Sequence, residues 1–198
     1  MKIIDDRIKD TQYEPEFEIL LDFYVKLNAK HVLEIGSYYG ASLHHWLHYS
    51  GKNATVISID LPISKFCGPS DPRCKIQEDA IANEWKSWTK KNNDKLYLIQ
   101  DLSQKESVVK EVHKLLNGTF FDFVFIDGNH MYEAVKRDFE LYAPLVRKGG
   151  VIVLHDIGYA EEGGVHRLWD EIKASNSYKY HELRMHPEKQ KGIGIIAT

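Results

Sequence analysis

The chain has 198 residues, of which 43% are hydrophobic and 28% charged, and its formal net charge is −3. That is enough apolar material for one sizeable core, and it excludes a collagen-like, disordered or disulfide-stapled chain. Mild acidity argues against nucleic acid or an anionic membrane as the main partner at neutral pH. The opening M-K-I-I-D-D-R-I-K-D interrupts its apolar residues with charge and has no signal-peptide core. The strongest apolar runs, 123–126 and 151–154, are too short to span a bilayer. A cytoplasmic location is therefore expected, with Cys67 and Cys74 unbridged in one loop.

Short β-rich runs alternate with helical patterns, the mark of a parallel sheet flanked by helices. Pro15 starts a helix over 16–27, where Phe17, Leu20, Leu21, Tyr24 and Leu27 recur at helical spacing. A strand over 31–35 leads through a glycine turn, 36–40, into a helix over 41–49. A second strand, 55–60, opens into a loop over 61–74 broken by Pro62, Gly68, Pro69 and Pro72. A helix over 76–90 presents Ile81, Trp85 and Trp88 on one face. A strand over 95–100 and a helix over 103–116 follow. The run 121–127 is almost continuously apolar, as a strand buried on both faces requires. A helix over 131–143 comes next, and Gly149-Gly150 is expected to turn the chain into a strand over 151–156. After a helix over 165–175, strands over 178–185 and 192–197 have only a short polar link, 187–191, which predicts an antiparallel hairpin at the sheet edge. The expectation is one domain, 1–198, with an N-terminal helical cap over 1–30 and a lid-like loop over 61–75.

V-L-E-I-G-S-Y-Y-G, residues 32–40, is a strand, a glycine turn and a helix start. Gly36 and Gly40 let the backbone turn sharply and approach a ligand. Tyr38 stands where a dinucleotide fingerprint has its middle glycine, so the loop suits the amino-acid end of a phosphate-free cofactor better than a pyrophosphate. Glu34 at the strand end is placed to help bind an ammonium, directly or through water. Asp60 ends the second strand, where a carboxylate can accept both ribose hydroxyl hydrogens, and Asp101 ends the third, placed for an adenine amino group. A single such acid caps a helix as readily as it binds a ligand; three at successive strand ends favour a binding role. Asp127 ends the fourth strand, followed by Gly128, Asn129 and His130, while His155 and Asp156 end the fifth. Adjacent strand ends lie about 5 Å apart, so two carboxylates and up to two imidazoles converge.

With F-D-F-V-F-I-D-G-N-H-M-Y-E-A-V-K-R-D-F-E-L-Y-A-P-L-V-R-K-G-G-V-I-V-L-H-D-I, residues 121–157, beside the E-x-G-x-x-x-G loop, the chain resembles the class I S-adenosylmethionine-dependent methyltransferases. Among them it is similar to the small O-methyltransferases related to catechol and caffeoyl-CoA O-methyltransferases and to the macrocin and cephalosporin-hydroxylase-like groups. The resemblance runs over about 32–169. It implies an α/β, Rossmann-like seven-stranded sheet with helices on both faces and a C-terminal antiparallel hairpin. It implies further that Glu34, Gly36, Ser37, Tyr38 and Gly40 surround the methionine moiety, Asp60 the ribose, Asp101 with Leu102 the adenine, and that Asp127 faces the sulfonium. The substrate implied is a small molecule, and a homodimer is left open. In the catechol-type enzymes the positions of Asp127 and Asp156 bind a divalent cation that lowers a substrate hydroxyl's pKa. Here Ile157 replaces an expected oxygen ligand and His155 adds an imidazole, so Mg²⁺ and Mn²⁺ both stay open. Alternatives are a metal-free methyl transfer with His130 or His155 as base, and a nucleotide-dependent oxidoreductase favoured by Y-x-x-x-K at Tyr132 and Lys136. That pair, H-E-L-R-M-H at 181–186, and the helical trio His44, His45 and His48 are read as incidental. Trp46, Trp85, Trp88 and Trp169 are read as core or cavity lining.

Overall fold

The computed structural model describes residues 1–61, 85–90, 93–159, 164–185 and 191–198. The lid-like loop, both cysteines, most of the helix expected over 76–90, and His186 lie outside the described residues. Seven strands form one sheet: β1 His31–Ile35, β2 Thr55–Asp60, β3 Lys95–Gln100, β4 Phe121–Ile126, β5 Val146–His155, β6 Lys179–Leu183 and β7 Ile193–Ala197. Their order is β3-β2-β1-β4-β5-β7-β6. The first five run parallel, and β7 is antiparallel to both β5 and β6. The switch point between β1 and β4 is where chains leave in opposite directions, so a crevice opens beyond their carboxyl ends.

The helices are α1 Glu14–Leu27, α2 Ala41–Tyr49, α3 Trp85–Lys90, α4 Glu106–Leu116, α5 Tyr132–Tyr142 and α6 Gly164–Ser175. On one sheet face α1 and α2 bury Phe17, Leu20, Leu21, Leu43 and Trp46 against Val32, Val56, Phe123 and Phe125. On the other, α4, α5 and α6 bury Val112, Val135, Leu168 and Trp169 against Leu33, Ile57, Val124 and Leu154. Each central strand thus loses both faces to apolar packing, which explains the unbroken apolar run of β4. Residues 1–30 contain a 3-10 turn, Asp6–Asp10, and α1, which has Pro15 in its first turn and Asn28 closing it at φ 50°.

Two expectations need correction. The strand expected over 151–156 is β5, and it starts at Val146, with Gly149 and Gly150 inside it. The register against β4 shifts between Phe121 and Phe123, which puts Phe121 on the same side as Val124 and Ile126. Gly149 sits at φ +76°, and a Cβ on Gly150 would meet Val146 Cγ1 at 2.6 Å. The glycines therefore serve a bulge, not a turn before the strand. The helix expected from Ser103 begins at Glu106, because Ser103 and Gln104 bond the side chain of Asp138.

Candidate active site

Gly36 lets the two switch-point strands meet. A Cβ there would lie 2.2 Å from the Asp127 carbonyl oxygen, and φ is +86°. Only glycine fits both demands. Gly36 N–H donates to the Ile59 carbonyl (2.9 Å) and Asp127 N–H to the Ile35 carbonyl (2.8 Å), so three strand ends are tied together. Tyr38 (φ 47°) and Asp156 (φ 53°) hold the left-handed conformation without being glycine. Such strain gathers at functional sites.

Two adjoining cavities open above this junction. The larger, about 620 Å³, is lined by Tyr38, Asp60, Asp101, Leu102, Gln104 and Asp127 among others. The smaller, about 300 Å³, shares Gly36, Tyr38 and Asp127 and adds Gln12, His130 and Asp156. The strand-end acids expected at the crevice, Asp60, Asp101, Asp127 and Asp156, are therefore brought together there.

Asp60 Oδ2 accepts the N–H groups of Ser37 (2.9 Å) and Tyr38 (2.7 Å), and Oδ1 accepts that of Leu61 (2.7 Å). Burial lifts its pKa above the usual carboxylate value, against the pull of these donors. Asp101 pairs with Lys105 at 2.6 Å and accepts the Leu102 N–H at 2.8 Å. Glu34 is wholly buried and lines neither cavity; its Oε1 accepts Trp46 Nε1 at 3.0 Å. Burial pushes its pKa up to about 7, with the Ser42, Trp46 and Ser37 donors pulling the other way. Ser37 and Ser42 do line the smaller cavity, and the Ser37 hydroxyl is bonded to that of Ser58.

At the junction, Asp127 Oδ1 lies 3.0 Å from His155 Nδ1 and 3.4 Å from His130 Nε2. Burial opposes the charged carboxylate, but the His155 charge and the two imidazole hydrogen bonds hold its pKa well below the usual range. Burial likewise opposes a charged His155, yet Asp127 and Asp156 keep its pKa above the ordinary histidine value. His155 Nδ1 also lies 3.4 Å from Asp156 Oδ1, and His130 Nδ1 lies 3.7 Å from Asp156 Oδ2. Among the described residues, Asp127, His130 and Asp156 form a trio whose ligand atoms all fall within 4.8 Å of one another. His155 instead spends its Nδ1 on the carboxylates, as a residue that orients them would. Asp156 Oδ1 is buried and accepts no hydrogen bond, with His155 Nδ1 at 3.4 Å and Lys191 Nζ at 3.7 Å as its cationic neighbours. One imidazole and two carboxylates suit a borderline divalent ion.

Sequence reasoning missed two residues here. Gln12 Nε2 donates to Asp127 Oδ2 at 2.8 Å across 115 residues of chain. Asp138, on α5, accepts Ser103 Oγ (2.6 Å) and Gln104 Nε2 (2.7 Å), bracing the segment that lines the larger cavity. No local pattern marks Gln12; the signal available for Asp138 is an acid at helical spacing with the apolar Val135 and Tyr142.

Among the described residues, those set aside lie apart from both cavities. Tyr132 donates to Glu171 Oε1 (2.6 Å) and accepts Lys136 Nζ (2.7 Å), joining α5 to α6. His45 donates Nδ1 to the Ala41 carbonyl (2.7 Å) and accepts the Ile4 N–H at Nε2 (3.1 Å), a pairing open only to the neutral ring. His44 stacks on Trp88 at 3.9 Å. Trp46 and Trp169 are core residues, the latter bonded to Glu182.

Residues 33–157 match the methyltransferase domain family. The chain belongs to that family. Its structure aligns with a Bacillus cereus O-methyltransferase solved with S-adenosylhomocysteine: TM-score 0.66, 18% identity, 94% of this chain and 82% of that one. It aligns also with the tomaymycin-synthesis O-methyltransferase TomG of Streptomyces achromogenes at TM-score 0.63 and 16% identity, over 93% and 80%. A TDP-rhamnose 3'-O-methyltransferase of calicheamicin biosynthesis gives TM-score 0.66 and 14% identity, over 100% and 88%. These likenesses establish the class I methyltransferase fold, with the terminal antiparallel pairing. Among curated proteins, a protein of Acanthamoeba polyphaga mimivirus is 43% identical over 58 residues, which is 29% of this chain and 25% of that protein. A Sinorhizobium fredii protein is 39% identical over 54 residues, 6% of its own length. No helix among the described residues is long and apolar enough to cross a membrane.

Proposed function

We propose that the protein transfers a methyl group from S-adenosylmethionine to a hydroxyl of a small molecule, with a divalent cation at the end of the crevice. One observation carries this reading: Asp127 lines both cavities and belongs to the trio of candidate ligands. In this reading the larger cavity takes the nucleoside, with Asp60 accepting from the ribose hydroxyls and Asp101 and Leu102 meeting the adenine. Gly36, Ser37, Tyr38 and Gly40 enclose the amino-acid end. Glu34 acts beneath them, supporting Ser37 and Ser42 rather than touching the donor. S-adenosylmethionine supplies an electrophilic methyl on a sulfonium, and Mg²⁺ or Mn²⁺ lowers the pKa of a bound hydroxyl. Asp127, His130 and Asp156 hold that cation, and His155 keeps Asp127 ionised and oriented. The remaining task of the chain is alignment of acceptor oxygen, methyl carbon and sulfur. The enzyme works in this reading in the cytoplasm, alone or as a homodimer, on a diffusible acceptor and not on nucleic acid.

Transfer of labelled methyl from S-adenosylmethionine to a panel of glycosides and phenols tests the reading. Turnover that chelator abolishes and Mn²⁺ restores is expected. Full turnover in excess chelator would make His130 a general base instead, and no transfer to any hydroxyl would refute O-methylation.

A further inference from the structure

Lys191 stands beside the acids of the junction, and no sequence motif marks it. Its backbone is placed by the register of β7, which pairs His155 with Ile193, and by the Ile157 N–H, which donates to the Gly192 carbonyl at 3.2 Å. The chain entering β7 therefore runs alongside Asp156. Lys191 lines the smaller cavity, and its Nζ lies 3.7 Å from Asp156 Oδ1. That is too long for a hydrogen bond and short enough for an ion pair. The two partners differ in freedom. The Asp156 side chain is 7% exposed and that of Lys191 38%. The carboxylate is held in place, whereas the lysine carries its charge on a flexible four-carbon stem that reaches water by rotation alone.

The other oxygen of the same carboxylate faces the candidate ligands. His130 Nδ1 lies 3.7 Å from Asp156 Oδ2, and Asp127, His130 and Asp156 each offer an atom within 4.8 Å of the other two. An ion held by those three would share one carboxylate with the Lys191 ammonium, and two like charges so close repel. Without an ion, two carboxylates this near each other need positive charge beside them, and Lys191 supplies a charge that can leave. Arg184, at the same end of the hairpin, is turned elsewhere: it donates to the Ile157 carbonyl (3.3 Å), and its Nε lies 3.6 Å from Glu182 Oε2.

We propose that Lys191 is the resident counter-cation of this site, and that a divalent ion entering among Asp127, His130 and Asp156 displaces it from Asp156. The ammonium turns toward solvent as the ion arrives, so the affinity for metal is set in part by a residue that never ligates it. The half-exposed pair is weak enough to be given up at modest cost. This inference rests on the divalent cation of the reading above and adds to it the group that competes with the ion.

The test measures the dissociation constant for Mn²⁺ by the free-ion paramagnetic signal, with the full chain at neutral pH and low ionic strength. Lys191→Met, of similar length and without charge, is expected to bind Mn²⁺ about fivefold or more tightly than the wild type. Lys191→Gln is expected to do the same, and it serves if the Met variant does not fold. Lys191→Arg keeps the charge and is expected to stay within roughly twofold of the wild type. A lysine with a merely structural role would weaken Mn²⁺ binding on removal or leave it alone, so unchanged or weaker binding in the folded Met or Gln variant overturns the proposal. Equal tightening in the arginine variant overturns it too, because the charge is still there. Mn²⁺ bound by the Met variant and not by the wild type would support it, as complete exclusion of the ion by the lysine. Mn²⁺ bound by none of the four proteins would strike the cation reading, and the proposal with it.

Discussion

Replacing Glu34 by glutamine should stabilise the protein at alkaline pH and do almost nothing near pH 4.5. The carboxyl group is wholly buried behind Trp46, and burial raises its pKa from the ordinary 4.5 to about 7. The folded chain therefore holds this proton more tightly than the unfolded chain does. The stability that goes with the held proton is fully present below the unfolded value and is lost as pH rises through the folded one. The gap between the two values corresponds to roughly 3 kcal/mol at most. Glutamine keeps the acceptor oxygen for Trp46 and never ionises, so the variant escapes that loss. Urea unfolding of both proteins at several values from pH 5 to 8.5 isolates the effect, because every other titrating group is common to the pair. The difference in unfolding free energy should grow with pH in favour of the variant and level off above about pH 8. A difference that is constant with pH, or one that favours the wild type at high pH, would show that Glu34 is solvated or ionised in the folded state.

Asp60→Asn should weaken S-adenosylmethionine binding about tenfold or more in calorimetry, because one of the two oxygens becomes a donor facing ribose hydroxyls; unchanged affinity removes the ribose assignment. Asp138→Ala removes the brace on Ser103 and Gln104 and should lower cofactor affinity while leaving affinity for Mn²⁺ intact; equal losses of both would mean a general folding defect. Lys136→Met removes the ammonium bonded to both Tyr132 and Glu171 yet should leave methyl transfer unchanged, since Tyr132 and Lys136 lie outside both cavities; loss of turnover would restore a catalytic role to the Y-x-x-x-K pattern. Asp156→Asn should weaken Mn²⁺ binding at least about tenfold, measured by the free-ion paramagnetic signal; no change would exclude Asp156 as a ligand.

Much of the fold was legible because parallel strands buried on both faces leave strong local marks. β1, β2 and β3 and helix α2 match their expected bounds residue for residue. The acids at the strand ends were legible for the same reason: a strand's end locates its last side chain at the crevice. What escaped was long-range or steric. Gly149-Gly150 reads as a turn from composition, and only the register against β4 reveals a bulge inside β5. Glu34 sits at the expected strand end, but a strand's alternation decides which face its side chain takes, and it points to Trp46 under the loop. The sequence offers His155 as the imidazole ligand beside Asp127 and Asp156; both histidines contact both carboxylates, and among the described residues it is His130 whose ligand atom lies within 4.8 Å of theirs. Gln12 carries no motif, and its role follows from the 3-10 turn that folds it over Asp127.

The proposed function sets the reactive end of the donor beside the Asp127, His130 and Asp156 trio, and Mn²⁺ can report that distance. With S-adenosylmethionine bound, Mn²⁺ should strongly broaden the NMR signal of the transferable methyl group in the wild type and barely affect it in Asp156→Asn. A sharp methyl signal from a donor that is demonstrably bound, with Mn²⁺ also bound, would contradict the arrangement.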